Sequence, residues 1–403
     1  MILLVMDKIK NKSLLVYEIK NDIKNITNDC LSVNENIDLS ELVLLNYEIL
    51  LTLYDKKKFH KFIIKQFIAE LYPELYGYYY DDFEYIDNTD IVEHVKTLPQ
   101  PEQRTPEWYQ IRRESIGASE SASIWGDNPY ASSNKLLLKK CGYDPHGFKP
   151  GPHCLWGIKY EPIIQQLYEL NHNTTLIEFG SIKHQEINHI SASPDGITPD
   201  GIMCEIKAPM TRIITGVPTI YYWYQMQQQL QVCKLDKVDF VEVKLIEYLN
   251  YDQYKDDEHI DKKNKCFTKD NKYKNIIIEY WDDNNTNVES KMPNYIYPVN
   301  FLNTDEIPDY IKEKKKEIDD SSNKIYSRAV YWKVVVYSEC EVWRDQEWWI
   351  KHKDDYKNFW DKVLYHRKHG YNDLIRKKGV KKFYNKRKSS KNSCLIESDS
   401  DSE

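Results

Sequence analysis

Three side chains near the middle of the chain carry the clearest chemical signal: Asp195, Glu205 and Lys207. They sit in Ser193-Pro194-Asp195-Gly196-Ile197-Thr198-Pro199-Asp200-Gly201-Ile202-Met203-Cys204-Glu205-Ile206-Lys207. Two turn-forming Pro-Asp-Gly units lie in this stretch. A reversal centred near Asp200 sets Asp195 opposite Glu205. Facing residues of an antiparallel pair share one side of the sheet, with Cβ atoms ~4.5–5.5 Å apart. Alternation adds Met203 and Lys207 to the Glu205 side and gives Ile202, Cys204, Ile206 and Ala208 to the other. Two opposed carboxylates repel, and a divalent cation removes the conflict. Oxygen ligands at this spacing suit Mg2+ or Mn2+, with the Ile206 backbone carbonyl and waters completing the shell. Lys207 would then orient or activate a water beside the metal. Taken alone, the segment reads equally well as a plain hairpin with surface charges. Asp200 shares the tripeptide but falls at the tip, and reads as a turn residue.

The surrounding elements must hold these groups. Residues 155–170 read as a helix with Leu155, Ile163, Ile164, Leu167 and Leu170 as its apolar set. Segments 186–193, 202–208 and 238–246 alternate as strands. Ile220 to Val232 reads as a helix rich in Tyr and Gln, with Tyr222, Gln225 and Gln229 on one face at i, i+3 and i+7. Within its glutamine run, Gln228 and Gln229 read as a solvated face. Glu161 precedes Pro162 and has a bland reading as a helix-start carboxylate. His184 and His189 lie near the site in sequence, but the carboxylates suffice for a metal without them.

Leu42, Leu45, Leu50 and Leu53, then Phe59, Ile63, Phe67 and Leu71, recur at helical spacing, so residues 1–100 read as a separate, mostly helical module of unknown role. The aromatic-acidic run 78–83 and Pro99-Gln100-Pro101 mark its boundary. Residues 101–250 hold the motif-bearing core, and 251–325 read as an irregular polar insertion. Within 326–370, a strand around 331–337 and a helix over 345–366 complete the core. Residues 371–403 form a tail, with nine Lys/Arg and no acid over 376–391, followed by Glu397-Ser398-Asp399-Ser400-Asp401-Ser402-Glu403.

Net charge is −7, which leaves nucleic acid open as a partner, because a local basic patch or a bound metal can meet phosphate. Eight cysteines, at 30, 141, 154, 204, 233, 266, 340 and 394, include no CxxC pair, which argues against a zinc knuckle, an iron–sulfur cluster or a disulfide scaffold. The opening apolar run is broken by Asp7 and Lys8, too short for a membrane span. The expectation is a soluble, intracellular protein with no membrane partner.

Asp-x9-Glu-x-Lys resembles the PD-(D/E)xK nuclease core, and the flanking segments narrow the resemblance to the lambda-type exonuclease, or YqaJ-like viral recombinase, family. Trp108-Tyr109-Gln110-Ile111-Arg112 followed by Ile116-Gly117-Ala118-Ser119-Glu120 resembles that family's W-x3-R…G-A-S segment. Gly126-Asp127-Asn128-Pro129-Tyr130 is similar to its G-x-N-P-Y turn, Gly157-x3-Glu161 to its helix glutamate, and Tyr222-x2-Gln225-x-Gln227 to its Y-x2-Q-x-Q helix. The likeness covers about 105–247, with a weaker echo from Tyr331-Trp332 to Phe359-Trp360.

The resemblance implies an α+β (α/β) restriction-endonuclease-like fold, a mixed central sheet flanked by helices. It implies Asp195, Glu205, the Ile206 carbonyl and Glu161 as metal ligands for two Mg2+ or Mn2+ ions, and Lys207 and Gln225 as catalytic partners. Arg112 and Ser119 would hold the 5′-phosphate of a DNA end, with Tyr222 and Gln227 also on the DNA side. The implied activity is exonucleolytic hydrolysis of duplex ends, 5′→3′, for recombination, repair or replication. The implied partners are double-stranded DNA ends, a single-strand annealing protein and further copies of the chain in a ring, in the cytoplasm or nucleus of a host cell if viral. An endonuclease with the same core, or an inactive DNA-binding scaffold, are the competing readings. Retention of Asp195, Glu205 and Lys207 together speaks against the scaffold.

Overall fold

The computed structural model describes residues 14–54, 59–72, 88–101, 105–143, 150–259, 265–282 and 292–375. The aromatic-acidic run at 78–83, the basic run from 376 and the acidic tail lie outside them. In chain order the helices begin with α1 (Leu14–Val33), α2 (Leu39–Leu53), α3 (Lys61–Leu71), α4 (Thr89–Thr97) and α5 (Pro106–Glu114). After β1 (Ile116–Gly117) come α6 (Ala122–Trp125), α7 (Ser133–Lys140) and α8 (Pro152–His172). Strands β2 (Ile182–Lys183), β3 (Ile190–Ala192), β4 (Gly196–Ile197) and β5 (Met203–Lys207) lead to α9 (Ile220–Cys233) and β6 (Lys237–Glu247). The chain continues through α10 (Tyr251–Asp256), β7 (Lys274–Asp282), β8 (Asn294–Ile296), α11 (Ile307–Asp319), β9 (Lys324–Trp343) and α12 (Gln346–His369).

Six strands form a mixed sheet in the order β4-β5-β6-β9-β7-β8, with only β5 and β6 parallel. A parallel neighbour needs a crossover, and α9 supplies it. A small sheet, β1-β3-β2, stands beside it. Alternation along β5 and β6 gives the main sheet two faces. Cys204, Ile206, Val241 and Val243 pack on Tyr160, Ile163, Ile164, Leu167 and Tyr168 of α8. Met203, Val238 and Phe240 join the core that includes Trp223, Met226 and Leu230 of α9. A mixed sheet flanked by helices is the fold expected from the sequence.

Helix α8 runs straight through Pro162. A helix-interior proline costs ~3 kcal/mol. Five large side chains around it are fully buried, and each contributes ~1.5–3 kcal/mol, so packing prevails. The helix is longer than 155–170, and two of its expected apolar positions differ: Leu170 is 55% exposed and Leu155 only half-buried.

Two other expectations are corrected. Residues 251–325 are not irregular, because β7 and β8 extend the sheet and Ile276 and Ile278 of β7 form a core with Tyr254, Ile307 and Ile318. The polar composition disguised short apolar runs that gain their partners from β9. The strand read over 186–193 is confined to 190–192, because His184 Nδ1 accepts from the Glu186 and Ile187 N–H groups and folds the preceding residues into a turn.

The N-terminal helices do not stand apart. Their buried residues, from Val16 to Val95, belong to the same core as Trp223, Val342 and Trp348. Phe62 stacks on Trp223 at 4.5 Å between centroids. Gln66 donates to the Glu341 carbonyl and accepts from the Trp343 N–H, which fastens α3 to the end of β9. Asn88, ahead of α4, lies so close to the β4–β5 tip that a Cβ on Gly201 would come within 2.3 Å of its own Cβ. Gly201 also has φ +89°, so both space and conformation demand glycine there.

Candidate active site

The β4–β5 hairpin pairs Gly196 with Cys204 and Ile197 with Met203, so the next pair outward is Asp195 and Glu205. Regular pairing stops at Gly196. Asp195 instead turns its Oδ2 onto the Ile206 N–H at 2.8 Å. In a strand, the N–H and C=O of one residue point to the same side, so the Ile206 carbonyl also faces this edge. At the tip, Asp200 accepts from the Thr198 hydroxyl and its carbonyl accepts from Asn88 N–H, a turn role as expected.

Glu205 is fully buried, and its carboxylate is held by donors from two elements. Oε1 accepts from Gln225 Nε2 at 2.6 Å and from the Lys207 ammonium; Oε2 accepts from Gln229 Nε2 at 2.6 Å. Tyr222 lies one turn before Gln225, with the Lys207 ammonium 5.2 Å and the Arg212 guanidinium 5.6 Å from its ring centre. Arg212 pairs with buried Glu242. The face of α9 that carries Tyr222, Gln225 and Gln229 is therefore a polar lid over β5 and β6. Spacing sets Gln229 on the face of Tyr222 and Gln225 but the sequence reads it as solvated, and Arg212 has no place in that reading of the site. The i, i+4 step from Gln225 to Gln229 was the available signal for the first, and the second lies five residues beyond Lys207.

Burial raises the Asp195 carboxyl well above the usual carboxylate range, and the charge on Glu205 raises it further, as does that on Glu161. Lys207 and the Ile206 N–H only partly offset this. Lys207 loses solvation, but Glu205 and Asp195 more than compensate and hold it protonated, above the ordinary lysine range. Its chemistry here is that of a fixed cation. This cluster of oxygen ligands, with Glu205 buried and Asp195 half-buried and short of positive charge, fits a hard divalent cation.

Glu161 stands mid-helix on α8, which excludes the helix-start reading, and is exposed toward a cleft of about 610 Å3 whose lining also includes Asp195, Gln165, Lys96 and Gln100. The Pro99-Gln100-Pro101 segment closes one wall: a Cβ on Gly180 would meet the Pro101 carbonyl at 2.4 Å. Arg112, half-buried on α5, lays its guanidinium over Trp108 at 4.6 Å. Ser119 is exposed on a short 3-10 turn, Ala118–Glu120, that packs against α9. Beside it Glu120 is buried. Burial opposes its charge, but Lys140, Lys139 and Arg112 together hold its carboxyl down at about 2.

Other sequence-based expectations are corrected. Gln227 is fully buried, donating to the Trp343 carbonyl and accepting from the Asp345 N–H, so it braces the β9–α12 corner and is not available to DNA. Gln228 and Gln229 are not a solvated face. Both are fully buried, and Gln228 ties the Ile116 and Ser191 carbonyls across the small sheet. His184 and His189 stack on Trp349 and Trp360. Gly126, at φ +85°, and Asn128, which accepts from the Tyr130 N–H, form a turn as expected.

The fold and this constellation place the chain among α/β proteins with the PD-(D/E)xK arrangement. Residues 107–236 match the YqaJ-like viral recombinase domain. Protein R354 of Acanthamoeba polyphaga mimivirus is 28% identical over 317 residues, 72% of this chain and 57% of that protein. Protein D345L of African swine fever virus (strain Badajoz 1971 Vero-adapted) is 31% identical over 121 residues, 30% of this chain and 34% of that protein. The chain thus spans little more than half the length of the first relative and about a third of the second. Among solved structures, an alkaline exonuclease from Laribacter hongkongensis is similar at 18% identity and a TM-score of 0.39, over 66% of this chain and 95% of that one. A phage related exonuclease from Haemophilus somnus is similar at 12% identity and a TM-score of 0.31, over 65% and 96%.

Proposed function

We propose that this chain is a metal-dependent deoxyribonuclease that shortens duplex DNA from its ends, in the 5′→3′ direction, in the service of recombination, repair or replication. The observation that carries the reading is the convergence of Asp195, Glu205, Lys207 and Gln225 at one half-buried sheet edge that opens on the Glu161 cleft. The family match over 107–236 supports it. Asp195, Glu205, Glu161 and the Ile206 carbonyl form an all-oxygen donor set suited to two Mg2+ or Mn2+ ions. Such ions, when bound, stabilise the attacking and leaving oxygens of in-line phosphodiester displacement.

The side chains of this protein do the rest. Gln225 and Gln229 fix the orientation of Glu205, so its carboxylate needs no reorganisation during the reaction. Lys207, protonated, orients the attacking water and counters the charge developing on the phosphate. Arg112 and Ser119 hold the terminal 5′-phosphate, a fork of donors with a small hydroxyl beside it. Tyr222 presents its ring between Lys207 and Arg212 on the approach to the site. Double-stranded ends are the substrate, and a single-strand annealing protein and further copies of the chain are the partners this reading brings. Because the relatives are viral, the interior of a host cell is the proposed location. Among the described residues no helix is long and apolar enough to cross a membrane.

The test is digestion of 5′-phosphorylated linear duplex with Mg2+ and with Mn2+, comparing wild type with Lys207→Ala. Wild type should resect the duplex, and the variant should be slower by about 10²–10³-fold, as for loss of one charge-stabilising group. A duplex left intact by wild type with both ions removes the reading. Cleavage of covalently closed circles replaces it with an endonuclease.

A further inference from the structure

We propose a second metal site, built from His172, Asp239 and Glu339, that takes a transition-metal dication of the Zn2+ type and ties the C-terminal end of α8 to the sheet. Cys204 and Asp239 are in register in the β5–β6 pair, so Asp239 lies on the face of Cys204, opposite to that of Glu205. In the β6–β9 ladder Asp239 pairs with Glu341 and Val241 with Glu339. Asp239 and Glu339 are therefore diagonal neighbours on one face. Helix α8 covers this face and sets His172 one turn after Tyr168. One ligand atom from each of His172, Asp239 and Glu339 lies within 4.8 Å of the others. Glu205 faces the other side of the sheet, and Glu161 lies about three turns before His172 on α8.

The group's own bonds leave a gap. Tyr168 donates to Asp239 Oδ2 at 2.7 Å, Tyr337 donates to Glu339 Oε2 at 3.0 Å, and His172 Nε2 lies 2.9 Å from Glu339 Oε1. Asp239 is only 3% exposed, yet its Oδ1 is buried and accepts no hydrogen bond. The Lys237 ammonium stands 3.9 Å from it and is spent on Glu341 at 2.6 Å. A buried carboxylate oxygen without a donor is unfavourable unless a cation meets it. Zn2+ binds imidazole and carboxylate at ~2.0–2.1 Å in a tetrahedron, which sets ligand atoms about 3.3 Å apart. The three atoms, all within 4.8 Å of one another, would have to draw in to that spacing on binding. An imidazole nitrogen in the set favours Zn2+ over Mg2+, which prefers oxygen throughout. His172, at the rim, leaves the fourth position to water. The occupied site would clamp the helix that carries Glu161, so it acts on stability first.

The experiment uses the full chain stripped of metal and Zn2+ as the probe, with bound metal counted after gel filtration and affinity read by chelator competition. Asp195→Asn serves as the background in which the candidate active site is impaired. Asp195→Asn should retain one Zn2+ per chain and wild type at least one, each with a raised melting temperature. His172→Gln and Glu339→Gln should each bind more than about tenfold more weakly, since even supporting groups around a metal contribute at least that much. X-ray absorption on Zn2+-loaded wild type should show one imidazole and oxygen ligands, a result that stands even where a variant fails to fold. No stoichiometric Zn2+ in wild type, or Zn2+ lost in Asp195→Asn but kept in His172→Gln and Glu339→Gln, overturns the proposal.

Discussion

Gln229 Nε2 donates to Glu205 Oε2 at 2.6 Å inside the protein, where neither group meets water. The bond joins the crossover helix to β5, the strand it follows, and it leaves the second Glu205 oxygen to Gln225 and Lys207. Gln229 is thus a positioning residue for a candidate metal ligand. Gln229→Ala strands a buried carboxylate oxygen, a loss of about 1–3 kcal/mol. The expected result is a kcat lower by about ten- to a hundredfold at nearly unchanged KM for DNA. A rise in KM alone would assign Gln229 to substrate binding and contradict this account.

Asp195 makes the opposite trade. Half-buried among like charges, it destabilises the metal-free chain in order to be ready for a cation. Asp195→Asn removes that repulsion, and its amide oxygen can still accept from the Ile206 N–H. Nuclease activity should fall below detection while the metal-free protein melts higher, by on the order of 2 °C. Calorimetry with chelator present checks this, and a variant that melts several degrees lower than wild type would contradict the charge argument.

These contrasts mark what the sequence could and could not reveal. The pairing of the hairpin was legible because turn chemistry and period-2 alternation are local properties, and a slip of one residue would turn Cys204 and Ile206 to the wrong face. The place of Gln229 was not legible. A polar helix stripe ordinarily faces water, and only the tertiary fold sets this one over a carboxylate. Gln227 failed for the same reason, because its partners, Trp343 and Asp345, lie more than a hundred residues away. The Ile276–Ile278 run was hidden by polar flanks, since its register is set by β9 rather than by its own neighbours.

His60 offers a pH test away from the site. Its Nε2 faces the Pro218 carbonyl at 3.2 Å and its Nδ1 accepts from the Ile63 N–H, so the folded chain holds the neutral ring. Burial lowers its pKa from 6.5 to about 3, against a small upward pull from the Pro218 carbonyl. Protonation would set a second N–H against that of Ile63. The unfolded chain takes the proton near 6.5 and the folded chain only near 3, so the stabilising contribution is whole above pH 6.5. It is lost progressively as pH falls toward 3. His60→Gln keeps a donor and an acceptor without titrating. The difference in urea midpoint between the two proteins should shift in favour of the variant between pH 7 and pH 4. Parallel profiles would show that His60 is not held neutral.

The N-terminal helices are expected to be indispensable to the nuclease half rather than an appendage. Phe62 and His60 help to hold Trp223 at 2% exposed, together with Trp348, and Gln66 closes the Glu341–Trp343 end of β9. Removing residues 1–97 would bare a contiguous apolar face on α9 and the outer side of the shared core, larger than soluble monomers tolerate. The shortened chain should therefore aggregate or bind a hydrophobic dye, and it should lack nuclease activity. Gln66→Ala is the milder test, because it leaves the Trp343 N–H without its acceptor while sparing the apolar contacts. A loss of about 1–3 kcal/mol in urea unfolding, with the two halves still melting in one transition, is the expected outcome. A soluble, active chain from residue 98 onward would show that the two parts fold independently.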